Sequence, residues 1–108
     1  MAVTESQNNG DGIVRFATGS YLTDGTAAAF DITCGFRPRY VRVVNETSRD
    51  MVEWFEGMGD ADAIKTVAAG TRTAITTLGI TPLTDGFTIG LDTDVNVTSE
   101  QLRWVAFG

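Results

Sequence analysis

Histidine is missing from this chain altogether, and cysteine occurs once, as Cys34. Without histidine the usual general base and the usual zinc ligand are gone, and a Ser/His/Asp triad cannot be assembled. A lone thiol forms no disulfide within the chain, so the fold does not depend on an oxidising compartment. Basic residues are also few, 8 against 14 acidic ones, for a net charge of −6. Nucleic-acid binders need a basic surface that releases counterions, so no nucleic-acid partner is expected. An anionic membrane surface is disfavoured on the same electrostatic ground. No apolar run approaches the roughly 20 residues of a membrane-spanning helix. Residues 1–12 lack the basic start and apolar stretch of a secretory signal. The expectation is a chain made and folded in a cytoplasm, with no membrane partner and no cofactor.

What is present is enough for one domain. The 108 residues are 43% hydrophobic, which excludes disorder throughout. Residues 1–12 (MAVTESQNNGDG) are the one stretch of low hydrophobicity, rich in turn and coil formers. They read as an extended N-terminal arm, and residues 13–108 as a single β-sandwich domain. Beyond the arm, short apolar segments alternate with Gly, Asp, Asn and Thr. Strands are expected at 13–18, 26–34, 39–45, 51–56, 64–68, 71–78, 87–91 and 100–107. Period-two patterning supports them: Ala28, Phe30, Ile32 and Cys34 share a face, as do Val41 and Val43, and Leu102, Trp104 and Ala106. Residues 35–38 (GFRP) read as a turn, because Pro38 cannot donate to a ladder. Ala69 and Gly70 read as a tight hairpin connection. No stretch shows helical spacing over a useful length. The pattern predicts an all-β fold, an antiparallel sandwich or jelly roll. Its core would comprise Phe30, Ile32, Val41, Val43, Trp54, Phe87, Ile89, Leu102 and Trp104.

Few residues offer chemistry. Cys34 ends an alternating apolar strand and has no histidine to activate it, so it reads as a buried structural thiol. Asp60 and Asp62 sit in a Gly-rich loop, and Asp92, Asp94 and Asn96 form D-x-D-x-N. The second run opens like a calcium loop, yet Val97 stands where the motif needs Gly and Arg103 where it needs Glu. A solvated acidic turn is the favoured reading, with no metal site. Two acids could serve a glycosidase, but a domain this small offers little cleft for a sugar. Asn45-Glu46-Thr47 and Asn96-Val97-Thr98 match the glycosylation sequon and read as chance. No catalytic residue is assigned, and the chain reads as a binding protein, not an enzyme.

The aromatics carry the binding argument. Trp54, Phe55, Trp104 and Phe107 could together line a sugar-binding surface. Adjacent strand residues point to opposite faces, so Trp54 and Phe55 diverge, as do Trp104 and Phe107. At least one of each pair faces something beyond the domain's own core, and a neighbouring subunit fits best.

The order GFRPRYVRVVN, a Trp-bearing strand, DGFTIG, VN and a closing LRWVAFG resembles small β-sandwich proteins of tailed-bacteriophage particles. These include capsid decoration (cement) proteins and domains of tail and fibre proteins. The likeness spans residues 35–108, about two-thirds of the chain. It implies a virion structural protein on the capsid surface, bound to the major capsid protein and to itself as a homotrimer, with an arm reaching a neighbour. The partner-binding residues expected on that reading are Val3, Thr4, Gln7 and Asn8 in the arm, with Phe55 and Phe107 on the domain. The alternative is a tail or fibre tip domain that binds host-surface carbohydrate or a receptor.

Overall fold

Alternation of β-branched and aromatic residues with polar ones favours strands throughout. The computed structural model, which describes residues 15–26 and 28–108, has eight of them. They are β1 (Phe16–Leu22), β2 (Phe30–Thr33), β3 (Tyr40–Asn45), β4 (Met51–Phe55), β5 (Asp62–Thr66), β6 (Arg72–Pro82), β7 (Gly86–Ile89) and β8 (Gln101–Phe107). Among the described residues there is no helix. The fold is all-β and antiparallel, as expected. Its strands join one continuous sheet in the order β1-β8-β3-β4-β5-β6-β7-β2. The residues of the expected arm, 1–12, lie outside the described residues, as do Ile13 and Val14.

The sheet curls because β6 serves two neighbours. Its first half pairs with β5, from Thr66↔Arg72 to Ala63↔Ile75, and the ladder then jumps to Asp62↔Ile80. Residues 76–79 bulge out between them, with Leu78 in the left-handed region at φ 63°. Gly79 closes the bulge against backbone, where a Cβ would fall 2.5 Å from the Asp62 carbonyl oxygen. Beyond it, Ile80 pairs with Ile89 and hands the chain to β7. Bulges of this kind bend a strand and sharpen its twist.

The bend brings the two ends of the sheet together. The Phe87 ring on β7 meets Trp104 on β8 edge to face at 5.4 Å, and Tyr21 on β1 stacks on Phe30 of β2 at 3.9 Å. Between them lies the core: Val41, Val43, Val52, Trp54, Ala63, Ile80, Phe87, Ile89, Leu102 and Ala106, joined by Val95 from the loop before β8. Of the expected core, Phe30, Ile32 and Trp104 are only partly buried and pack against its margin.

Candidate binding face

Strand register assembles the most distinctive surface. Phe16 of β1 stands opposite Phe107 of β8, Phe107 opposite Tyr40 of β3, and Tyr40 opposite Phe55 of β4. The rings form a row across the outer face, with centroids 5.9, 6.0 and 5.0 Å apart along it. Phe16 is 62% exposed, Phe55 46% and Phe107 42%. Phe55 and Phe107, picked out by strand parity, therefore stand on either side of Tyr40. Phe16 and Tyr40 complete the row; only the cross-strand register could have found them. Val3, Thr4, Gln7 and Asn8 lie outside the described residues.

A polar cluster borders the row. The Tyr40 hydroxyl donates to Glu53 Oε2 at 2.7 Å, and the Arg42 guanidinium donates to the same oxygen at 3.1 Å. Tyr40 and Arg42 are two residues apart on one strand, so both side chains project from the same face toward β4. Burial and the adjacent carboxylate push the Tyr40 phenol above its usual range. The Tyr40 hydrogen bond, helped by Arg42, holds Glu53 below the usual carboxylate range. Glu53 is thus a fixed acceptor that orients Tyr40 within the row. Arg39 and Glu56 form a further ion pair at 3.6 Å.

Other expectations fall differently. Trp54 is buried and donates from its indole nitrogen to the Gly59 carbonyl at 3.1 Å, and Trp104 turns inward onto Phe87. Trp54 is closed off from solvent, whereas Trp104 is half-buried. Cys34 is half-buried rather than buried, with its thiol 3.3 Å from the Phe36 carbonyl oxygen.

The D-x-D-x-N run is a structured turn that is solvated only in part, at Thr93 and Asp94. Asp92 is buried, and its Oδ1 accepts from the backbone of Asp94 at 2.9 Å and of Val95 at 3.2 Å. Lys65 Nζ reaches Asp92 Oδ2 at 3.2 Å and Asp94 Oδ2 at 2.8 Å, so its ammonium bridges the two carboxylates and offsets one of their charges. The Asp94 bond, with Asp92 behind it, raises the Lys65 pKa. Asp62 closes its own loop by accepting from the Gly59 amide at 2.9 Å.

Both sequon asparagines are buried. The Asn45 amide donates to Val95 O at 2.9 Å and Glu100 Oε1 at 2.8 Å, and its oxygen accepts from Thr47 N at 2.9 Å and Ser48 N at 3.0 Å. Asn96 donates to Ala28 O and Gly90 O, both at 3.0 Å. Their amides hold loops together and are closed to glycan attachment in the folded state.

Comparisons with protein-family models, curated proteins and solved structures found no match. The rings of the row run across one face of the sheet at mixed tilts, an extended apolar strip of the kind that protein partners cover. Small-molecule sites are typically concave.

Proposed function

We propose that this chain is a non-enzymatic structural protein of a tailed-bacteriophage virion, a capsid decoration protein that bridges subunits of the major capsid protein. In this reading it is made in the host cytoplasm and ends on the head surface as a homo-oligomer, most simply a trimer. The observation that carries the reading is the exposed row Phe16–Phe107–Tyr40–Phe55 on one face of a small domain. Contiguous exposed aromatics usually mark protein interfaces. The acidic balance of the chain favours docking on basic patches of a shell. The jelly-roll-like sandwich belongs to this proposal, and the contacts of Phe87 with Trp104 and of Tyr21 with Phe30 support it by drawing the sheet ends into facing positions.

The same row supports a second reading, a tail or fibre tip domain, because aromatic faces also stack on sugar rings. Electron microscopy of particles from the phage that encodes the chain separates the two. Density for the domain repeated over the icosahedral head is the expected result. Density at the tail, together with binding on a glycan array, would favour the tip domain. Particles that lack the chain would sink both readings.

A further inference from the structure

β1 lies at one end of the sheet, and among the described residues no strand pairs with its free side. Its ladder with β8 runs unbroken from Phe16↔Phe107 to Leu22↔Gln101. Just beyond that ladder, Gly108 N donates to Arg15 O at 2.8 Å and Thr23 N donates to Glu100 O at 3.0 Å. Hydrogen-bonded residues alternate along an antiparallel strand. The main-chain groups of Ala17, Gly19 and Tyr21 therefore serve β8, and those of Phe16, Thr18, Ser20 and Leu22 project from the edge. The side chains of these last residues are exposed too, Phe16 at 62% and Leu22 at 66%.

Sheet proteins defend free edges with charge, proline, a bulge or brevity. β1, with the sequence FATGSYL over 7 residues, has none of these. The opposite edge, β2, is only 4 residues long and carries Asp31. Among the described residues, one edge is defended and the other is open.

The open edge is also self-complementary, since Phe16 and Leu22 are equally spaced about Gly19. We infer that β1 is a homodimer interface, with two copies pairing their β1 strands antiparallel about a two-fold axis at Gly19. Phe16 then stands opposite the partner's Leu22, and Thr18 opposite the partner's Ser20. These are the residues whose main-chain groups project, so each pair exchanges hydrogen bonds. The two most exposed large hydrophobic side chains among the described residues cover one another across the seam. A two-fold contact is closed, and the defended β2 edge stops further growth. The inference goes beyond the virion reading and does not depend on it. A threefold assembly would use another surface, and a species of three times the chain mass in solution, without the dimer, would overturn the inference.

Pairing so short an edge buries less than the roughly 1,200–2,000 Å² of a standard interface. Each copy also carries a net charge of −6. The dimer is accordingly concentration-dependent, and salt strengthens it by screening the repulsion between copies.

Light scattering on the full chain should approach twice the 11.6 kDa chain mass as concentration rises. Over the same range, amide hydrogen exchange should slow at Thr18, Ser20 and Leu22. Thr18→Lys with Ser20→Lys sets like charges across the seam and should return the monomer. Thr18→Lys with Ser20→Glu sets opposite charges there and should restore the dimer. A monomer at every concentration overturns the inference, as does an oligomer that the like-charge pair fails to dissociate. So do amides at 18, 20 and 22 that exchange as fast in concentrated as in dilute solution, a readout that needs no variant to fold.

Discussion

Trp104 packs against Gly19 so closely that a Cβ at position 19 would fall 2.6 Å from the indole ring. The two residues face each other across the β1–β8 ladder. The glycine inside β1 is therefore the seat of a large core-facing ring. Gly19→Ala should cost about 1–3 kcal/mol by forcing the indole off its position. Urea denaturation measures this directly. An alanine variant as stable as the parent would mean that the ring shifts freely.

The Lys65 bridge makes a second prediction. Lys65→Met keeps the length of the side chain but leaves Asp92 buried beside Asp94 without a cation. Removing one partner of a buried pair costs far more than an exposed pair contributes. A loss of about 1–3 kcal/mol is expected for this partly buried cluster. Lys65→Arg should recover much of it. Equal stability of the Met variant and the parent would mean that backbone capping alone holds the turn.

Tyr40, Glu53 and Lys65 set the pH dependence. Glu53 is held low in the folded chain, chiefly by Tyr40. Its contribution is present above the unfolded glutamate value of about 4.3 and is lost as pH falls through the lower folded value. Tyr40 and Lys65 are both raised. Their contributions are present below about 10 and are lost as pH rises through the higher folded values. Denaturation midpoints should therefore fall at both extremes. Tyr40→Phe should flatten the alkaline limb and part of the acid limb. An unchanged profile in that variant would place the pH dependence on other groups.

Much of this fold was legible from period-two alternation, which located a strand near each of the eight observed. The end of β1 was misread, at Thr18 instead of Leu22, because Gly19 and Ser20 look like punctuation, and only the packing of Trp104 explains a glycine there. β6 runs on through Gly79 to Pro82 because a bulge, set by contact with Asp62, keeps the strand going. Strand parity was enough to turn Phe55 and Phe107 away from their tryptophans. It could not supply Phe16 and Tyr40, since the row exists only once β1, β8, β3 and β4 are in register. Nor could spacing reveal that the acids of D-x-D-x-N have a lysine partner 27 and 29 residues away.

The central claim, that the aromatic row docks this domain on a phage shell, is tested most directly by binding to assembled shells that lack the chain. Phe55→Ser with Phe107→Ser removes two rings of the row and leaves β1 intact. The parent should bind saturably, and the double variant, shown to be folded, at least about 10-fold more weakly, a difference of about 1.4 kcal/mol. A parent that does not bind, or a double variant that binds as tightly as the parent, would contradict the account.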